Sequence, residues 1–258
     1  MKCLFVQMHG QFSELVTFCG SACEVNAPLA NMKPHIGYFA EQALEIIKRR
    51  AGAGAATIAP YIGRGLLESS LTALLFRLDA FRALTLMRFQ THAEFDHNRP
   101  NQISIDWTTD LVADVGERQD IWKPKQKPDQ VSRALLSPYT DEVIWQPAFV
   151  AARDFLDEKS LATPHPTVMA KDPEEVIQGI RGEARQLYSF WSKGIHGEFF
   201  AIGAHTLDEV TCSDRMKRTI DLVLELAFVS HFTSVSVGNC EPARASDYYL
   251  RGKEGIHG

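Results

Sequence analysis

A glycine-rich phosphate loop, a dinucleotide fingerprint, a nucleophile elbow and a cysteine-pair zinc motif are all missing from the chain. Their absence removes the commonest enzyme classes without naming one that remains. Cysteine is sparse. Cys3, Cys19, Cys23, Cys212 and Cys240 are odd in number and scattered, which suits idle thiols in a reducing compartment better than a disulfide framework. Cys19 and Cys23 stand one helical turn apart, but no histidine or second cysteine pair joins them at a zinc spacing. Basic charge is not in excess either. Lys and Arg number 27 against 32 Asp and Glu, a formal net charge of −5, so no general field draws in nucleic acid. Contact with it would need a local patch, and three basic clusters exist: Lys48, Arg49 and Arg50; Lys123, Lys125 and Lys127; Arg215, Lys217 and Arg218. Each reads most simply as a solvated surface. Long uncharged apolar runs are also lacking. The opening MKCLFVQMHGQF has neither the unbroken apolar stretch nor the cleavage site of a signal peptide. The apolar span from Thr219 to Val237 contains Asp221, Glu225 and His231, so it reads as a core helix and not a membrane span. Together these readings place the protein in the cytoplasm.

What is present is helical periodicity. The 258 residues allow a substantial core and read as a single helical domain over 1–258. A first helix is expected over Leu4–Val25, ended by a polar linker through Asn26, Pro28, Asn31 and Pro34, and a second over His35–Arg50. From Pro60 to about Phe95 the apolar residues fall almost all round, which points to a central helix, and Asp79 can cap a second segment at a kink. In that span Arg64 and Glu68 stand four apart and read as an intrahelical ion pair. A mixed insertion follows at about 96–140, with QISIDW as a short strand or extended connector and KPKQKPD as an exposed loop. Asp141–Leu156 reads as a helix kinked at Pro147. Thr206 and Glu209 form a capping box for a last helix running to about Val237, and the polar tail after Gly238 reads as loosely held. The expected architecture is an all-α bundle.

The clearest helix begins at Asp172, whose carboxylate can cap the first turn, with Pro173 where its missing N–H costs nothing and Glu175 completing a capping box. Val176, Ile180, Ala184, Leu187, Trp191 and Ile195 form its inward stripe. Arg185, Ser189, Ser192 and His196 line up on another face. Such a stripe is ordinarily a solvated side, but Tyr188, Phe190 and Trp191 crowd Ser192 and His196, a mixture suited to a partly buried polar site. Elsewhere His92, Glu94, Asp96 and His97 fall within six residues, at a spacing that matches neither two-histidine zinc helix. The acids from Asp106 to Asp120 lack paired strands to hold a metal-dependent nuclease core. No metal or cofactor is expected.

The order of long helices, with LLESSLTALLFRLDAFR in one and LYSFWSKGIHGEF in a later one, resembles the HEPN superfamily of bacterial helical domains over about residues 60–95 and 172–237. Many of its members are metal-independent ribonucleases of phage defence or toxin–antitoxin pairs. Their site is an arginine and a histidine separated by four to six residues, often completed across a two-fold. In this chain Arg88 and His92 have three residues between them, with Phe89 after the arginine, and Arg185 and His196 have ten. The resemblance therefore implies a binding or sensing subunit of a nucleic-acid-linked stress or defence system. Its alternatives are an endoribonuclease using His196 or His92 with Arg185, Ser192 or Arg88, and a helical scaffold. RNA, a protein partner and a second copy of the chain are the partners it suggests.

Overall fold

A computed structural model describes residues 2–20, 24–49, 54–96, 98, 104–113, 134–161, 165–169, 172–196 and 208–257. The longer helices in chain order are α1 (Lys2–Thr17), α2 (Asn26–Arg49), α3 (Gly54–Leu78), α4 (Ala80–Gln90), α5 (Gln146–Glu158), α6 (Pro173–Ile195), α7 (Glu209–Ser230) and α8 (Pro242–His257). Among the described residues there is no strand, only an isolated parallel bridge between Val112 and Leu136. The chain is all-α. No described helix is long and apolar enough to cross a membrane.

Helix α3 lies at the centre because it has no polar face wide enough to meet water. Ala59, Ile62, Leu66, Leu67, Leu71, Ala73, Leu74, Leu75 and Phe76 point in several directions and are all buried. Helices α1, α2, α6 and α7 pack around it. Two glycines set how closely they approach. A Cβ on Gly63 would fall inside the indole of Trp191 from α6, and one on Gly65 would fall inside the ring of Phe39 from α2. The indole is further tied to α7 by its Nε1–H, which donates to Thr219 Oγ1 at 3.1 Å. At the far end of α3 the chain breaks at Asp79, whose side chain accepts the Arg82 N–H at 3.0 Å and starts α4.

Several boundaries depart from the sequence expectations. Helix α1 stops at Thr17, and the segment expected as a polar linker is the first part of α2. Pro28 lies in the first turn, where a missing N–H is harmless, and burial of Val25, Leu29 and Ile36 outweighs the ladder bond lost at Pro34. The expected kink at Pro147 is a change of helix type. A π turn over Asp141–Trp145 hands over to α5, with the proline in its first turn. Helix α7 is capped by Asp208, which accepts the Thr211 N–H at 2.8 Å, and it ends at Ser230, short of Val237; Thr206 lies outside the described residues. The tail expected to be loose forms α8. Ala245, Tyr249, Gly252 and Ile256 recur at helical spacing and are buried against α1 and α7. Of the mixed insertion, 96, 98, 104–113 and 134–140 are described. Residues 104–106 are a connector, and Trp107–Leu111 is a π turn capped by Asp106. KPKQKPD lies outside the described residues.

The two crowded glycines differ from Gly179 on α6, where a Cβ would meet nothing within 4 Å. Gly63→Ala and Gly65→Ala should each lower stability by about 1–3 kcal/mol through overpacking. Gly179→Ala should raise it by about 0.5–1 kcal/mol through helix propensity. Urea midpoints at unchanged slope measure all three.

Candidate functional site

The two glycines leave Arg64 on the crest of α3 between the helices they admit. Its Nε donates to Glu68 Oε1 at 3.1 Å and its Nη2 donates to Tyr188 Oη at 3.2 Å. The guanidinium carbon lies 5.0 Å from the centre of the Tyr188 ring, and Trp107 stacks on that ring at 4.0 Å with planes 8° apart. A cation, a phenol and an indole thus follow one another across α3, α6 and the π turn. Trp107 is held from both sides. Asp110 accepts Arg82 Nη1–H at 2.7 Å and the Asp106 N–H at 2.8 Å, while Arg185 donates to the Ala113 carbonyl. Arg64 is partly open to solvent, and Tyr61 stands one turn before it at 60% exposure.

Beside this crest α2 adds aromatic rings. The Phe39 ring that fills the space at Gly65 touches His35 edge-on at 4.7 Å, Tyr38 at 5.9 Å and Tyr61 at 5.7 Å. Phe39 itself is buried. His35, Tyr38 and Tyr61 surround it on the outside, so a buried pedestal carries three exposed rings.

The residues expected as a histidine–arginine site are not gathered. Arg185 is half-buried and positions the 104–113 segment through Ala113. Ser192 is half-buried, and its carbonyl accepts the His196 N–H at 2.9 Å. His196 is the C-cap of α6 and is exposed, and among the described residues its ring makes no hydrogen bond. At about 1.5 Å rise per residue it lies about 16 Å along the axis from Arg185. Arg88 is exposed in the last turn of α4. His92 follows the Thr91 cap, outside the helix, and its Nδ1 accepts the Glu94 N–H at 3.3 Å. Helical spacing therefore does not hold that pair together. No group of three His, Cys, Asp or Glu among the described residues could hold a metal, and His97 lies outside them.

Two further polar clusters are closed to solvent. In one, Arg77 is wholly buried and donates to Ser230 Oγ at 2.6 Å, His231 Nδ1 at 2.9 Å and the Gly238 carbonyl at 3.1 Å. His231 Nε2 meets the Leu15 carbonyl at 2.9 Å, so the imidazole is neutral, with its proton on Nε2. Burial, then Arg77, pushes the His231 pKa well below its ordinary value, and burial brings Arg77 down to about 10. In the other, His165 Nε2 lies 3.1 Å from Ser246 Oγ, with the ring stacked on Tyr249 at 4.3 Å. No carboxylate orients its Nδ1, and burial, then Lys253, lowers its pKa to about 4. This is a packed histidine and not a general base. Tyr249 donates to Glu225 Oε1 at 2.6 Å, and burial raises the Glu225 carboxyl above its usual range. Cysteine chemistry is equally unfavoured, because burial pushes the Cys212 and Cys240 thiols up to about 11. Cys19 departs from the expectation of idle thiols: it is disulfide-bonded.

In sequence Gly63, Gly65 and Tyr61 belong to no chemical motif, and Arg64 reads only as half of an ion pair with Glu68. The available signal was IGRG itself, an arginine between two glycines inside an otherwise strong helix, where glycine costs about 1 kcal/mol each and implies a close neighbour. Compared with known protein families, curated proteins and solved structures, the chain matches none.

The two buried histidines make stability pH-dependent in a defined direction. Above an unfolded value of 6.5 both states leave them neutral. As pH falls, the unfolded chain takes up protons that the folded one refuses, so stability is lost between pH 6.5 and about 4 for His165, and further down for His231. Glu225 acts oppositely, losing stability as pH rises from 4.5 towards its raised value. Melting temperatures of wild type and His165→Gln across pH 4–7 separate the two: the variant should show the shallower fall on the acid side.

Proposed function

We propose that the protein is a helical binding or sensing subunit of a bacterial nucleic-acid-linked stress or phage-defence system, acting in the cytoplasm, with the α2–α3–α6 face as its contact surface. The resemblance to HEPN proteins supports the class, and RNA, a protein partner and a second copy of the chain remain its proposed partners. The observation that favours binding over cleavage is the layered Arg64–Tyr188–Trp107 arrangement beside exposed tyrosines. Guanidinium and aromatic planes are the groups on which nucleobases stack. Acid–base cleavage instead requires a histidine and a cation within hydrogen-bond reach of one phosphate. His196 and Arg185 are too far apart along α6 for that within one chain.

Binding and cleavage separate in one set of assays. Incubated with RNA in EDTA, wild type should leave the substrate intact. In fluorescence anisotropy it should bind labelled oligonucleotide, Arg64→Ala should weaken binding about ten-fold, and His196→Ala and His92→Ala should leave it unchanged. Cleavage by wild type that disappears in either histidine variant at unchanged melting temperature would replace this reading with the endoribonuclease. Absence of both cleavage and binding would leave the scaffold.

A further inference from the structure

We propose that a trough between α5 and the start of α6 receives a short, extended peptide segment of a partner protein, apolar in its middle and carrying lysine or arginine towards both ends. The trough is separate from the α2–α3–α6 face, because at about 1.5 Å rise per residue Asp172 lies about 24 Å along the helix from Tyr188. It has a volume of about 450 Å³, and its apolar lining is Pro147, Val150, Ala151 and Pro173. Helix α5 turns Ala148, Phe149, Ala152 and Leu156 into the core, which leaves Pro147, Val150 and Ala151 exposed on its outer side. Both walls are braced. Asp141 of the π turn and Arg181 of α6 form a buried ion pair at 2.8 Å, and a proline stands in the first turn of each helix. A surface fixed in this way loses little freedom when a partner covers it.

Charge and an unsatisfied donor together specify the occupant. Glu142, Asp154 and Asp172 all line the trough and all are exposed. Glu142 and Asp154 stand towards its two ends, about 18 Å apart at about 1.5 Å per residue. Asp172 is on the other wall, where its Oδ1 also accepts the Glu174 N–H at 2.8 Å. Cations complement such a rim and fix the register of whatever carries them. An extended chain advances about 3.3 Å per residue, so cationic side chains about five or six residues apart reach both ends. Between them, apolar side chains rest on Pro147, Val150 and Ala151 and cover apolar surface that the fold leaves open to water. Gln146 marks the occupant as a peptide and not a bare polyamine. Its Nε2 is closed to solvent and makes no hydrogen bond among the described residues, although its side chain lines the trough. An amide donor left in that state is costly. A slight turn of the side chain offers it to a backbone carbonyl of the peptide, an acceptor of a kind that a polyamine lacks.

The test uses the whole chain and fluorescein-labelled seven-residue peptides in fluorescence anisotropy. One peptide has lysine at both ends and valines in the centre, a second has glutamate at the ends, and a third has serines in the centre. The lysine–valine peptide should bind at least ten-fold more tightly than either of the others. Glu142→Gln and Asp154→Asn should each weaken it about three-fold and the double variant about ten-fold, as for exposed ion pairs. Asp172→Asn, which keeps a helix cap and removes the charge, should also weaken it about three-fold. Gln146→Met, which removes the donor at similar shape, should do the same. Arg64→Ala should leave peptide binding unchanged, so the outcome is independent of the α2–α3–α6 face. Circular dichroism melts check that each variant remains folded. No binding of the lysine–valine peptide at about 1 mM, equal binding of the glutamate peptide, or carboxylate variants that bind normally would overturn the proposal. Spermidine that displaces the peptide, and binds wild type and Gln146→Met equally, would assign the trough to a small cation instead. A dimer in sedimentation equilibrium that Val150→Asp abolishes would assign it to a second copy of the chain.

Discussion

The closeness of α3 to its neighbours at Gly63 and Gly65 is the constraint on which the arrangement rests. Two large rings, Trp191 and Phe39, enter where side chains would otherwise stand, one from each flank of the same helix. Their entry brings α6 and α2 against the backbone of α3 and leaves Arg64, between the two glycines, on the outer crest. Everything on the candidate face follows from that. Tyr188 reaches Arg64 because α6 is drawn in, and Tyr61 and Tyr38 meet around Phe39 because α2 is drawn in. A helix with ordinary side chains at 63 and 65 would hold its neighbours farther away and disperse these groups.

The interior polar groups have a different task, which is to tie the last part of the chain to the first. Arg77 at the end of α3 reaches the end of α7 and the segment after it, and His231 passes the connection on to Leu15 of α1. Among the described residues no carboxylate hydrogen-bonds this guanidinium. It is satisfied by hydroxyl, imidazole and carbonyl acceptors, a workable solution for a buried cation because each acceptor points a partial negative charge at it. The α7–α8 contact is built in the same way, with Tyr249 and Lys253 on Glu225. Leaving one member of either set without its partners exposes a desolvated polar atom to no compensation, so these clusters bind the tail firmly while offering no access to a substrate.

How far the sequence could be read differs from element to element for physical reasons. The start of α6 was legible because Asp172 and Pro173 act within one turn, and the carboxylate does accept the Glu174 N–H at 2.8 Å. The break at Asp79 and the central place of α3 were legible for the same kind of reason, a local cap and an apolar pattern with no polar side. The early start of α2 and the existence of α8 were not. Prolines argued against the one and a polar composition against the other, and in both cases burial against α1 outweighed local preference. The polar stripe of α6 has the sequence pattern of a candidate site. Its members part company in space, Arg185 turned to Ala113, Ser192 half-buried and His196 exposed, because eleven residues of helix separate the ends and neighbouring segments meet only one of them.

By itself the sequence determined that the chain is helical, where several helices begin, and which of them is too apolar to lie at the surface. Those properties depend on neighbours three or four residues away, and such spacing is written directly in the order of residues. Which side chains share the candidate face was decided by tertiary structure alone. Arg64 and Tyr188 are 124 residues apart along the chain, and they meet only because two missing side chains on α3 let rings from other helices come close.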